Sequence, residues 1–431
     1  MNPTARAASL VGVAAIAALL IPVRVAALAG VVVIALTIVD AAIASTHPRL
    51  TRSVAPVVAR GVRAPLRVSV GARRFGRIRV RQPRTADFTV DPAESRGPLD
   101  ATLVAHRRGR HVLPDVAARC TGPLGLAEWN FRGEGRASVT VYPDVPRARR
   151  IALAVRQGRF AEAGRLRRGP LGIGTEFESI RDHQPDDDIR QINWLATSRA
   201  GRLMTNQFRV EQDRDVIALL DTGRLMSAPV EDQTRLDAAI DALTAVAAVS
   251  EVVGDRCGVI AFDHEIRRST AARRRGADAL TAAIYDLEPR PVDADYELAF
   301  RSVRNTKRAL VIVFTDILDG SAADSLVRAV PVLSRRHAVI VASVADNDID
   351  RLAGTRHDTT TGAAGDEDAQ RGRAADEAVW RQVVARHVLA TRQQVVAQLR
   401  ACDATFVEAS PRQFAEAMVA TYLRLKARAR L

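Results

Sequence analysis

Four short apolar runs in this chain each close on a carboxylate: 215–221 (DVIALLD), 257–263 (CGVIAFD), 309–316 (ALVIVFTD) and 338–346 (AVIVASVAD). Each is rich in β-branched residues and has the length of a buried strand. Ligands of an open parallel sheet gather at the carboxyl ends of its strands, so Asp221, Asp263, Asp316 and Asp346 are expected along one edge. Carboxylates so placed are the oxygen donors that a hard cation such as Mg²⁺ takes, with water completing the octahedron. A second set of chemistry-bearing residues lies in 172–199 (GIGTEFESIRDHQPDDDIRQINWLATSR), where Glu176, Arg181, Asp187, Asp188, Arg190 and Arg199 alternate in sign around Phe177, Ile180, Ile192 and Trp194. Mixed charges interleaved with large apolar groups read as a surface that pairs ions while burying Trp194. Asp186, Asp187 and Asp188 together could serve hydrolysis, but a loop run flanked by Arg181 and Arg190 reads better as an ion-pair network. His183 and His264 lack partners at metal or triad spacing, Ser227 and Cys257 stand in no nucleophile elbow, and no Gly-rich phosphate loop follows a strand.

The elements that must carry these residues follow from pattern. Beyond residue 213 strands alternate with helical periodicity, as in Leu236, Ile240, Leu243, Val246 and Ser250 between Asp232 and Gly254, which predicts an α/β doubly wound parallel sheet. Within it, 355–375 (TRHDTTTGAAGDEDAQRGRAA) is polar and without period and reads as a mobile loop. A helix over 378–399, a last strand over 405–408 and a helix from Pro411 complete the domain. Between 55 and 143, short alternating runs at 66–70, 77–81, 88–91, 101–105 and 138–142, punctuated by Gly and Pro, predict a small β-sandwich. The stretch 147–169 is basic and reads as a helical connector.

At the N-terminus, 7–23 and 25–44 are two nearly uncharged apolar runs split by Pro22 and Arg24. They predict a transmembrane helical hairpin, and Arg6, Arg49, Arg52, Arg60 and Arg63 around it put the bulk of the chain in the cytoplasm. Ala27-Leu28-Ala29 imitates a signal-peptide cleavage site, but fifteen further apolar residues follow it. The expected organisation of the 431 residues is therefore a hairpin (1–48), a sandwich-like domain (49–146), a connector with the charged segment (147–212) and an α/β domain (213–431). The net charge is +14, carried almost wholly by Arg with Lys307 and Lys426 the only lysines. Because the arginines are scattered and aromatics are 4% of the chain, no nucleic-acid partner is expected. Three cysteines without close spacing give neither a disulfide framework nor a zinc site.

On the 172–199 segment, the steps RRG at 107–109 and TGPLGL at 121–126, VTVYPD at 139–144 and YLRLKAR at 422–428, the chain resembles the bacterial family catalogued as domain of unknown function 58. It departs from that pattern at Asp186, where the family usually has Gly, at Asn193, where it has Asp, and at Leu195, where it often has Lys. The last domain resembles a von Willebrand factor A domain, whose metal site needs Asp-x-Ser-x-Ser, a Thr and a further Asp. Asp221 and Asp316 match, but Gly223 and Leu225 stand at the two Ser positions and 293–296 offers no Thr. The resemblance thus implies a degenerate metal site with no Mg²⁺ expected, its two acids capping backbone amides or meeting arginines such as Arg224. It also implies a MoxR-type AAA+ ATPase as partner, with a transglutaminase-like membrane protein as a second. The resulting expectation is a non-enzymatic, membrane-anchored cytoplasmic adaptor whose contacts are made by Glu176, Arg181, Asp187, Asp188, Arg190, Trp194 and Arg199. Its rivals are a metal-dependent hydrolase using Asp186, Asp187 and Asp188 with Asp221, and a sensor whose sandwich binds a ligand.

Overall fold

A computed structural model of the chain describes residues 2–17, 22–71, 76–133, 135–160, 176–185, 187–209, 214–303, 307–317, 320–354 and 366–427. They fall into two compact units, Met1–Tyr142 and Pro143–Leu431.

In the first unit the two apolar runs form helices α1 (Ala5–Ala17) and α2 (Val23–Ala44), which pack on each other. At 13 residues α1 rises only about 20 Å and falls short of ~30 Å of hydrocarbon. The window Ala27–Ala44 of α2, mean hydropathy 2.5, is long and apolar enough to cross a membrane. Among the described residues there is thus one candidate span beside a shorter helix, where the sequence led us to expect two spans. Near its end α2 carries a buried acid, Asp40, whose carboxylate is consumed by the turn 122–127. Oδ1 accepts from the Leu124 amide at 2.8 Å, and Oδ2 accepts from those of Leu126 and Ala127 at 2.7 and 3.0 Å. A side chain at Gly122 would overlap that carboxylate, which is why the turn needs glycine there. Strands β1 (Asn2–Pro3), β2 (Leu50–Val54), β3 (Val57–Ala59), β4 (Arg63–Val70), β5 (Arg77–Arg81), β6 (Phe88–Asp91), β7 (Glu94–Arg96), β8 (Leu99–Ala105), β9 (Gly109–Leu113), β10 (Ala117–Thr121), β11 (Ala127–Arg132) and β12 (Ala137–Tyr142) form three sheets. Their orders are β1-β11-β10-β5-β7, β3-β12-β9 and β2-β4-β8-β6. Alternation puts Leu66, Val68, Val80, Phe88, Leu103, Leu113, Val139 and Val141 from all three into one core.

The second unit opens with α3 (Val145–Arg156), started by the Asp144 side chain accepting from the Arg147 amide. Its Ala148, Ile151, Ala152 and Val155 are buried in the α/β core, so this expected connector is a core helix. An antiparallel pair, β13 (Glu176–Asp182) and β14 (Met204–Arg209), flanks the short helix α4 (Trp194–Ala200). Then follow β15 (Asp215–Asp221), the small pair β16 (Pro229–Val230) and β17 (Gln233–Thr234), α5 (Arg235–Val253), β18 (Arg256–Phe262), β19 (Ile266–Arg273), α6 (Ala277–Ile284), α7 (Tyr296–Val303), β20 (Leu310–Phe314), α8 (Gly320–Ser334), β21 (Ala338–Val344), α9 (Asn347–Gly354), α10 (Asp366–Ala401), β22 (Thr405–Ala409) and α11 (Phe414–Ala427). The main sheet has the order β19-β18-β15-β20-β21-β22, parallel except at β19. Helices α3, α5, α6 and α11 cover one face and α7, α8 and α10 the other, giving two cores. Residues 355–365 of the expected loop lie outside the described residues. From Asp366 the backbone is helical, which corrects the loop reading over 366–375. The segment carries Ala, Glu, Gln and Arg, all good helix formers, and the helix they open goes on to the i,i+4 pair Glu377–Arg381.

Candidate functional site

The chain passes from β15 through α5 to β18 on one side and later enters β20 on the other, so the sheet's switch point lies between β15 and β20. This is where open α/β sheets bind ligands, and the carboxyl ends of these strands carry Asp221 and Asp316. The four strand-end acids do lie along one edge, on four adjacent strands, yet the crevice is filled from within. Asp221 Oδ1 accepts from the Gly223 amide at 2.7 Å, and Oδ2 from Thr315 Oγ1 at 2.7 Å and Tyr296 Oη at 3.2 Å. Burial holds the Asp221 carboxyl above the ordinary carboxylate range, against the pull of those three donors. Asp316 accepts from the Ile317 amide and Ser343 Oγ and is in contact with the guanidinium of Arg235, which also reaches Asp346 at 2.9 Å. Arg235 is the first residue of α5, only 1% exposed, and its helix is opened by a capping box between Thr234 and Asp237. Arg392 from α10 lies beside it, donating to Ser343 Oγ and pairing with Glu408 at 2.9 Å. Asp263 is held below the usual range: burial opposes this, but the Glu265 amide and Arg267 outweigh it.

These residues do not fit a divalent cation. A fixed guanidinium already bridges Asp316 and Asp346, and the lone pairs of Asp221 are taken by three donors. A serine side chain at 223 has no room, since its Cβ would stand 2.9 Å from the Val292 carbonyl. The expected arginine partner is corrected: Arg224 pairs with Asp293 on the surface, and the buried cation is Arg235. Thr315 and Tyr296 supply hydroxyls that the sequence search missed: Tyr296 ends the 293–296 stretch where only a threonine was sought, and Thr315 directly precedes Asp316. Cys257, with burial pushing its thiol up to about 12, is an inert core residue.

The charged segment has the opposite character. Strands β13 and β14 pair with each other alone, with a bulge between Phe177 and Ser179, and project an arm. Its tip is braced by Arg181, which grips Asp187 through two bonds of 2.8 and 2.6 Å. Asp187 also accepts from the Gln184 amide, and the Arg181 bonds first and this amide second hold its carboxyl below the usual range. Asp188 caps Ile189–Gln191, and Arg202 pairs with Asp182 at 3.0 Å. Asn193 caps α4 through Oδ1, accepting from Ala196, while its Nδ2 donates to Asn206 Oδ1 at 2.8 Å. Helix α4 ends on Gly201 in the left-handed region, φ 68°.

Several large apolar side chains among the arm's described residues are exposed: Ile189 is 72% exposed, Trp194 65% and Leu195 64%, with Ile180 and Leu203 also exposed. The expectation that Trp194 is buried is therefore corrected. Arg190 and Arg199 are exposed and form no ion pair among the described residues, whereas Arg181, Asp187 and Asp188 are committed to internal bonds. The Glu176 side chain and all of Asp186 lie outside the described residues.

A family model described as a protein of unknown function, DUF58, matches residues 179–378, from the arm to the middle of α10. Uncharacterized proteins of Mycobacterium bovis and of two strains of Mycobacterium tuberculosis are 22% identical to the chain over 181 residues, covering 41% of it and 56% of each relative. The chain thus spans about half the length of the curated relatives it matches.

Proposed function

We propose that this chain is a membrane-anchored adaptor that acts without catalysis and docks a partner through the arm at 176–209. One observation carries the reading: Ile189, Trp194 and Leu195 are all exposed on an arm whose shape is held by Arg181, Asp187 and Asn193. Aromatic residues presented on a rigid scaffold are the usual anchors of protein interfaces. Arg190 and Arg199 beside them suit a partner surface that is acidic around an apolar pocket. The α/β domain, which on its sequence resembles a von Willebrand factor A domain, serves as the frame, its switch point sealed by Arg235. Anchorage falls to α2, with the bulk of the chain in the cytoplasm beside Arg49, Arg52, Arg60 and Arg63. On the family resemblance the partner is a MoxR-type AAA+ ATPase, with a transglutaminase-like membrane protein as a further component.

The test is a double comparison on Trp194→Ala. Because the ring is exposed, the variant should melt as the wild type does, within about 0.5 kcal/mol, whereas truncating a buried aromatic costs about 3–5 kcal/mol. Co-purification of the ATPase from native membranes should fall about tenfold, the equivalent of ~1.4 kcal/mol of binding. Undiminished co-purification by a folded Trp194→Ala, Leu195→Ser double variant would remove the arm from the reading.

A further inference from the structure

Outside the arm and the sealed switch point, the α/β unit holds a cavity of about 750 Å³ between α7 and α8. That is the size of a binding pocket rather than of a packing defect. Phe300, Ala329, Val332 and Leu333 give it apolar walls, and Val332 is 61% exposed. One polar group in its lining has nothing to bind. His337 is only 5% exposed, and its Nδ1 accepts from the Ala309 amide at 3.2 Å. In the neutral ring the proton therefore sits on Nε2. That nitrogen is buried and has no hydrogen-bond partner among the described residues. Burial, and secondarily Arg336, hold the ring below the ordinary histidine range, which keeps it neutral near pH 7.

The charges around the cavity are unequally committed. Its acids are engaged within the fold: Asp293 with Arg224, Glu297 with Arg301, and Asp295 capping the Leu298 amide at 3.0 Å. On the donor side, Arg328 gives its Nε to the Asp324 carbonyl of its own helix and forms no ion pair among the described residues. What the cavity offers an occupant is thus an apolar wall, a buried N–H and a guanidinium, with Asp293 and Glu297 paired to arginines and Asp295 turned to a backbone amide.

We infer that the groove between α7 and α8 is a second docking site, taking a short apolar segment of a partner protein that carries an acidic side chain. The acid accepts from His337 Nε2–H and faces Arg328, while apolar side chains lie against Phe300, Ala329 and Leu333, the helix-groove mode of peptide recognition. The inference does not rest on the arm, because the two lie on different elements and use different chemistry.

The test uses the full chain in nanodiscs, with empty nanodiscs as background, and fluorescence anisotropy of three labelled peptides: ELLEFLLE, its Lys-for-Glu counterpart and its Gln-for-Glu counterpart. The acidic peptide should bind saturably and about tenfold more tightly than either counterpart. Val332→Glu, a change at an exposed position that puts a like charge in the groove, should weaken it about tenfold at an unchanged melting temperature, while Leu352→Glu on α9 should not. Trp194→Ala should bind the peptide as the wild type does, so failure of the arm and failure of the groove are distinguishable. No saturable binding, equal binding of the three peptides, preference for the basic one, or indifference to Val332→Glu would each overturn the inference.

Discussion

Arg235 occupies, in a sheet whose strands end in acids, the place where a cation belongs. Its guanidinium and the Asp316 carboxylate are both 1% exposed as side chains; burial pushes the Asp316 carboxyl up, and the charges of Arg235 and Arg392 oppose that rise. Replacing it with methionine keeps the bulk but leaves Asp316 unpaired, and we expect Arg235→Met to cost about 3–5 kcal/mol in chemical denaturation. A loss under about 1 kcal/mol would mean the guanidinium is not what neutralises this edge. Asp221 carries the complementary prediction. Its folded carboxyl is raised by burial, so the stability it contributes is full below the unfolded value of about 4 and is lost as pH rises through the folded value. Melting curves of wild type and Asp221→Asn should therefore diverge with pH, the variant gaining relative to wild type between about pH 4 and pH 7. A difference that does not change over that range would contradict the assignment. The acids themselves were legible in the sequence, because a strand that ends in Asp leaves a local pattern. Arg235 was not, since one arginine among many gives no local sign of which buried carboxylate it will meet.

At the scale of elements, the arm and the α2 clamp are both held by short polar bonds rather than by apolar cores. In the clamp one carboxylate satisfies three amides of the 122–127 turn. Asp40→Ala would orphan all three, each such loss costing about 1–3 kcal/mol when the donor stays buried. The expected outcome is faster hydrogen exchange at Leu124, Leu126 and Ala127, with a lower melting temperature of the first unit; unchanged exchange would show that the acid is not the clamp. The sequence marked the TGPLGL step only as a resemblance, and nothing local pairs it with an acid more than eighty residues away. Five of the six strands of the main sheet were readable as apolar runs, and α5, the end of α10 and α11 as helices, whereas β19 and α6 to α9 were not. Trp194 was misjudged for a physical reason: charges interleaved with large apolar groups look the same in sequence whether the ring turns inward or outward. In the fold the ring is 65% exposed.

Considered as a whole, the molecule has two compact units, the first with an apolar helix long enough to cross a membrane and the second with exposed apolar side chains on its arm and a donor-lined groove. Neither feature gains the fold anything by being exposed, and both fit a chain whose work is contact. Whether the arm makes the proposed contact is read by hydrogen–deuterium exchange on the full chain in nanodiscs, with and without the proposed MoxR-type ATPase. The account predicts that the ATPase slows exchange in 189–203, around Ile189, Trp194 and Leu195, and leaves the amides at the sealed strand ends, Gly223 and Ile317, as they were. Protection confined to other surfaces, with 189–203 exchanging as in the free protein, would contradict it.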